Sequence, residues 1–391
     1  MKFYFGIDVA SEKHNCCIMD AKEHVVYEFE FLNTQAGFER LLSALNNSAY
    51  PDDCKKIIGL EATGIYSENL TNFLRRNGFK VTTLNPLSVK KQLAATTLRK
   101  TKTDKSDARF LALLMARGNY EPDVPSLYHI NELKSISRAR FSTAKKRSAA
   151  KNQAKGFITK LFPEYLKVFS DTFGSTSMAV LSKYPSAKNI AEARVQTLAK
   201  LLNSSSRGRF GIDAARELIE LAKRSVGTYS YATVCGLLCT LEEIELFNRQ
   251  IKRFEDEIKR ILDENPTPIQ TIPGIGNVTA AMIISEIGDI SRFSNPNKLL
   301  AFAGLDPSVY QSGKFAPNSG SMVKRGSPYL RYALMLAARI VPRYSSVFGN
   351  YLDKKIDEGK HFNVATSHVA KKLVRIIFSL QKNNVAFSDF C

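Results

Sequence analysis

Histidine occurs only five times in these 391 residues, cysteine six times and tryptophan not at all. The cysteines are scattered, two of them adjacent at Cys16 and Cys17, and no Cys-X-X-Cys pair occurs. Neither a zinc site nor a disulfide framework is indicated, and a reducing cytoplasm fits. No run of eighteen apolar residues exists, so no transmembrane span and no membrane partner are expected. The start, Met1-Lys2-Phe3-Tyr4-Phe5-Gly6-Ile7-Asp8, reads as a strand broken by an acid and not as a signal peptide. Acids are in deficit. There are 37 Asp and Glu against 56 Lys and Arg, a formal net charge of +19. A chain this basic most often binds a polyanion, usually nucleic acid. Charge alone does not separate DNA, RNA and acidic membrane. The 44% hydrophobic content is enough for real cores, and the length predicts two or three domains.

The N-terminal part reads as α/β, residues 1–122. Strands are expected over 3–9, 14–19 and 24–31 as an antiparallel meander. A helix follows over 34–46, with Phe38, Leu41, Leu42 and Leu45 at helical spacing and Thr34 as N-cap. A buried strand over 56–60 ends on Glu61. A helix over 67–77 is closed by Gly78, and a fifth strand covers 80–84. Helices over 86–98 and 104–116 flank a basic connector. The linker Glu121-Pro122-Asp123-Val124-Pro125 ends the domain.

Residues 123–265 read as a basic helical and coiled-coil region. A long helix is expected over 131–162, with nine Lys/Arg between Leu133 and Pro163 and no acid. Arg138, Arg140, Lys145, Lys146 and Arg147 form its densest stretch, and nucleic-acid contact is favoured over a merely solvated face. A second long helix is expected over 214–262. Its Leu237, Leu241, Ile244, Phe247, Ile251, Phe254, Ile258 and Ile261 step by three or four, a coiled-coil seam suited to structure or oligomerisation. Residues 266–391 read as mostly helical, with no acid between Asp306 and Asp353 and six Lys/Arg there.

Four acids carry the chemistry. Asp104 and Asp107 sit three apart at the head of an apolar helix, so they share a face. They also close a segment that holds eight Lys/Arg after Glu68, Lys100 and Lys102 among them. Acids in a first helical turn are also favoured by the dipole alone. Asp8 is a charge inside an apolar strand, expensive unless it works or is paired. Glu61 ends a buried strand, where ligands of open α/β sheets gather. Together they are hard oxygen ligands suited to Mg²⁺ or Mn²⁺. Two such ions stabilise the attacking and leaving oxygens at a phosphodiester.

Further along, Ile272-Pro273-Gly274-Ile275-Gly276 before a helix over 278–287 looks like a helix-hairpin-helix, in which Gly274 and Gly276 let backbone N–H groups reach a phosphate. Lys314, Lys324, Arg325 and Arg331 suit phosphate contacts. Ser312 lies in Tyr310-Gln311-Ser312-Gly313-Lys314 with no histidine near it in sequence, so composition alone makes it a turn serine.

The texts GIDVA at 6–10, LEATGIY at 60–66 and KTDKSDA at 102–108 resemble the RuvC-like, RNase H-fold DEDD domain of a bacterial insertion-sequence transposase family. The resemblance continues through TIPGIGNVTAAMIISEIGDISRF at 271–293, AFAGLDPSVYQSGKF at 301–315 and KRGSPYLRYAL at 324–334. It implies a metal-dependent DNA recombinase with Asp8, Glu61, Asp104 and Asp107 as ligands. It also implies Ser312 as the nucleophile that joins DNA, a structured bridge RNA as guide, and a homo-oligomer that assembles the acids of one protomer with the serine of another. Related members often carry Ser-Ser-Gly-Gly-Lys where this chain has Gln-Ser-Gly-Lys, so Ser308, Ser319 and Ser321 stand as substitutes. Rival readings are a RuvC-type junction nuclease that activates water, an actin-like kinase, and a non-catalytic nucleic-acid-binding protein. The kinase needs a second phosphate-binding segment that the chain lacks.

Overall fold

Successive side chains of a strand point to opposite faces, and the central N-terminal strands are buried on both. The computed structural model describes residues 1–47, 51, 54–61, 66–84, 89, 92, 104–118, 128–306 and 322–388. The chain divides into two units, Met1–Pro125 and Ser126–Cys391.

In the first unit, strands β1 (Lys2–Asp8), β2 (Lys13–Asp20), β3 (Val25–Leu32), β4 (Lys55–Glu61) and β5 (Val81–Leu84) form one sheet in the order β3-β2-β1-β4-β5. The first three pair antiparallel, and β1–β4 and β4–β5 pair parallel. Phe5, Ile7, Ile18, Ile58 and Leu60 point to one face, where they pack with Phe38, Leu41 and Leu45 of α1 (Gln35–Leu45) and Leu70 and Leu74 of α2 (Tyr66–Arg76). Tyr4, Cys17, Met19 and Ile57 point to the other, which α3 (Asp104–Ala116) covers through Ala108, Leu111, Ala112 and Met115. The expected helix over 104–116 thus has those bounds, and the meander stands. The helix expected over 86–98 lies outside the described residues save Val89 and Gln92.

Thr34 caps α1, its side chain accepting from the Gly37 N–H at 3.3 Å. Thr34→Ala removes that acceptor, and equilibrium urea unfolding is expected to show a loss of about 1 kcal/mol.

The second unit is helical. Its axis is a pair of 34-residue helices, α4 (Tyr128–Leu161) and, further along, α9 (Tyr231–Glu264). Between them come α5 (Ser175–Lys183), α6 (Ala187–Ala191), α7 (Val195–Ser206) and α8 (Ile212–Lys223). After them come α10 (Asn277–Ile287), α11 (Pro296–Ala303), α12 (Pro328–Ile340), α13 (Ser346–Asp357) and α14 (Phe362–Asn383). Arg140 reaches Glu255, and Arg147 reaches Asn248, so α4 and α9 run antiparallel. Ala154, Ile158 and Leu161 join Val234, Leu237, Leu241 and Ile244 in one core. Ile130 and Leu133 join Ile258, Ile261 and Leu262 in another, shared with α10 to α14. The apolar seam of α9 therefore packs largely against α4 of the same chain.

The single helix expected over 214–262 is two helices, α8 and α9, with a break at 224–230. The cause is the end of α4, whose last carbonyls lack intrahelical partners. Thr228 donates its N–H to the Lys160 carbonyl at 2.8 Å. Glu164 accepts from the Ser225 hydroxyl at 2.5 Å and the Val226 N–H at 3.2 Å. Gly227 sits so close to the Leu161 carbonyl that a Cβ there would collide with it. Among the described residues, no helix is long and apolar enough to cross a membrane.

Candidate functional site

Asp8 is the last residue of β1 and Glu61 the last of β4. The two strands are parallel neighbours in register, Gly6 beside Gly59 and Ile7 beside Leu60. Alternation carries Asp8 and Glu61 to the face that α3 covers. Both are half-buried. Adjacent carboxylates at the C-terminal edge of parallel strands are thus produced by register alone.

The helix brings the third acid. Arg117 at the end of α3 makes a bidentate pair with Glu23 in the turn between β2 and β3, at 2.9 Å for both bonds. Arg109 makes a second with Glu28 on β3. The Arg117 pair anchors the C-terminal end of α3 at the edge where β1 begins and the Arg109 pair its middle, so its first turn lies at the edge where β1 ends. Lys105 and Ala108 there line a cavity of about 80 Å³ with Asn15, the cross-strand partner of Asp8, and with Glu28 and Glu30. Asp107, half-buried, directly precedes Ala108. Asp104 is the first residue of α3, and its side chain lies outside the described residues. The close approach depends on Gly6, where an added Cβ would strike the backbone of Ala108 and Ala112.

The donor set fits a hard cation. His14 faces the opposite core, stacked among Phe31 and Phe38, with its Nδ1 accepting from the Ala10 N–H at 3.2 Å. Burial holds its pKa below the usual value, so it stays neutral. Cys17 shares the α3 face, but burial and then the nearby Glu28 carboxylate push its thiol up to about 12. It remains protonated, and oxygen is left as the ligand atom. Among the described residues no three acids, histidines or cysteines close into a ready-made metal cluster.

The basic stretch of α4 is partly consumed within the chain. Arg138 grips Glu286 on α10 through two bonds of 2.6 and 2.9 Å. Burial pulls its pKa down, but the hydrogen bond and charge of Glu286, with Tyr329, together outweigh this and leave it above the usual value. Arg140 pairs with Glu255 at 2.7 Å, and Arg147 donates to Asn248 at 2.9 Å. The acids missing from α4 are thus supplied from α9 and α10. Lys145 lies over the Phe141 ring at 4.8 Å, and it and Lys146 are exposed.

In the C-terminal part, Gly274 has φ +88° and packs against Ile340, Val341 and Tyr344. Gly276 is the N-cap of α10, and open space surrounds the position a Cβ would take. Lys324 is exposed with a left-handed backbone, φ +53°, and Arg325 is exposed beside it. Arg331 points inward, donating to the Ala303 carbonyl at 3.3 Å. Ser312 and Lys314, like Lys100 and Lys102, lie outside the described residues. Sequence reasoning missed Glu286, 2% exposed, and Ser327, whose hydroxyl donates to it at 2.7 Å. The signal was available, since a lone acid in the apolar run Ala280–Ile287 is as conspicuous as Asp8 in β1.

Comparison with known proteins agrees with this layout. Residues 5–163 match a DEDD transposase family model of the IS110 type, and residues 267–353 match the model described as transposase IS116/IS110/IS902 family. The pilin gene-inverting protein of Moraxella bovis is 25% identical over 388 residues, covering 99% of this chain and 98% of that one. The IS116 44.8 kDa protein of Streptomyces clavuligerus, uncharacterized, is 21% identical over 99% of this chain and 96% of its own. The transposase for insertion sequence element IS1111A of Coxiella burnetii is 34% identical over 146 residues, 35% of this chain and 39% of its own. With two models of one family matched in order and relatives aligned end to end, the chain belongs to the IS110/IS116/IS902 family of transposases.

Proposed function

We propose that this transposase breaks and rejoins DNA through a metal-holding acidic edge and a serine nucleophile, directed to its sites by a structured RNA. The first unit serves as an RNase H-like DEDD domain. The observation that carries this reading is the placement of Asp8 and Glu61 on neighbouring parallel strand ends, under the first turn of α3. Asp8, Glu61, Asp104 and Asp107 would hold Mg²⁺ or Mn²⁺. Such ions, when bound, neutralise charge on the phosphate oxygens.

The chain's own residues do the rest. The Ser312 hydroxyl attacks phosphorus, a Ser312–phosphate ester forms, the P–O bond to one strand breaks, and the hydroxyl proton ends on the released strand. Rejoining reverses these changes. Lys145, Lys146, Lys324 and Arg325 bind backbone phosphates, a sequence-blind contact. The turn at Gly274–Gly276 presents the N-terminus of α10 to a phosphate in helix-hairpin-helix fashion. Sequence choice is left to the RNA. A homo-oligomer would join the acids of one protomer to the serine of another.

The decisive variant is Ser312→Ala. With labelled duplex copied from the gene's own flanking DNA, and RNA transcribed from the same flank, the wild type should give a protein–DNA adduct stable to denaturant. Ser312→Ala should give none while binding DNA with unchanged affinity. An adduct that persists in the variant removes the serine assignment. Cleavage without any adduct in the wild type would point to water as nucleophile, as in a junction nuclease.

A further inference from the structure

Glu286 has no part in the chemistry above, yet among the described residues it is the one acid buried to 2%. Burying a carboxylate is expensive, and an apolar pair of similar volume serves stability as well or better. Its presence therefore points to a task of geometry. Its partners say which. One is Arg138 of α4, held by two bonds and lying over the Tyr329 ring at 4.6 Å. The other is Ser327, the N-cap of α12. The Ser327 hydroxyl donates to Glu286 at 2.7 Å and accepts from the Leu330 N–H at 3.2 Å, so one atom serves both cap and acid.

Ser327 also closes a neck. Its N–H donates to the Phe302 carbonyl at 3.0 Å, the Lys324 N–H to the Gly304 carbonyl at 3.3 Å, and the Val323 N–H to the Asp306 carbonyl at 2.9 Å. Residues 302–306 and 323–327 are thereby stitched together at the two ends of segment 307–321. The neck is tight. A Cβ on Gly304 would meet the Arg325 carbonyl, and one on Gly326 the Phe302 carbonyl. Both glycines have positive φ, at +68° and +101°.

We propose that Glu286 is a positioning residue. Through Arg138 and Ser327 it fixes residues 302–306 and 323–327, which flank Ser312 in the chain, so α4 and α10 hold both attachment points of the nucleophile's segment. This rests on the serine reading above. A displacement of about 1 Å in a reacting group costs on the order of 100-fold in rate.

The test uses the full chain with the duplex and RNA named above, well below each variant's unfolding midpoint. Adduct formation is followed against DNA concentration for Glu286→Gln, Ser327→Gly and Ser327→Thr. Glycine caps nearly as well as serine but cannot donate to Glu286, and threonine keeps both bonds. The expected result is a loss of about 100-fold in the rate at saturating DNA for Glu286→Gln and Ser327→Gly, with half-saturation unmoved. Ser327→Thr should restore the rate. Rates within about twofold of wild type in Ser327→Gly would overturn the proposal, as would a loss that appears in half-saturation instead of the saturated rate. Should Glu286→Gln fail to fold, Ser327→Gly decides alone. The two readings fail separately. An adduct surviving in Ser312→Ala removes the serine. A wild-type rate in Ser327→Gly, with no adduct in Ser312→Ala, removes only the neck.

Discussion

Asp8→Asn is expected to leave the protein folded and bound to DNA but unable to break a strand. The amide has the size of the carboxylate and lacks its charge. Asp8 closes β1 beside Glu61 in register, on the face where α3 brings Asp107. A cation held there would contribute several kcal/mol to a phosphoryl transition state, so loss of a ligand should lower cleavage by about 1,000-fold or more. Stability should change little, since the amide fills the same space. Strand cleavage in Mg²⁺ and the thermal midpoint, measured on the same sample, check both halves. Cleavage within tenfold of wild type would sink the acidic-edge assignment.

Gly6→Val should be the most damaging substitution in the sheet. The atoms that a Cβ would meet are the carbonyl of Ala108 and the backbone of Ala112. Backbone of a packed helix cannot step aside as a side chain does, so α3 must lift from β1. Overpacking with backbone displacement costs about 3 kcal/mol or more, and lifting α3 also carries Asp107 away from Asp8. Gly59→Ala is the control. There the intruding Cβ meets only the Met115 side chain. A methionine re-aims its flexible thioether, and the expected loss is nearer 1 kcal/mol. Denaturant unfolding of the two variants should separate them clearly. Equal losses would mean that α3 does not ride on Gly6.

Much of the first unit was readable because its determinants are local. Apolar runs mark β1 and β4, the alternation Tyr27–Phe31 marks β3, Thr34 announces α1, and Gly78, at φ +83°, closes α2. Asp8 and Glu61 stand out as acids at the ends of apolar strands. The second unit resisted where its determinants lie far apart in the chain. Nothing near 224–230 breaks a helix strongly. The break exists because the end of α4 needs Thr228 and because Glu164 holds Ser225 and Val226. The charge of α4 misleads for the same reason. Arg138 and Arg140 look unopposed until Glu286 and Glu255 arrive from more than a hundred residues away. The seam of α9 left structure and oligomerisation both open because its partner in the chain, α4, lies far upstream.

The antiparallel α4–α9 pair has a consequence for how the protein is made. Ile130 and Leu133, at the start of the second unit, share a core with Val374 and Ile377 near its end. On the ribosome α4 therefore emerges as a long cationic, half-apolar helix that must wait for most of the remaining chain before its acids and its core partners exist. The first unit needs nothing from beyond its own residues for its described sheet and can fold while the rest is still being synthesised. A premature stop before α10 would leave Arg138 without Glu286 and that end of α4 uncovered rather than shorten the protein harmlessly.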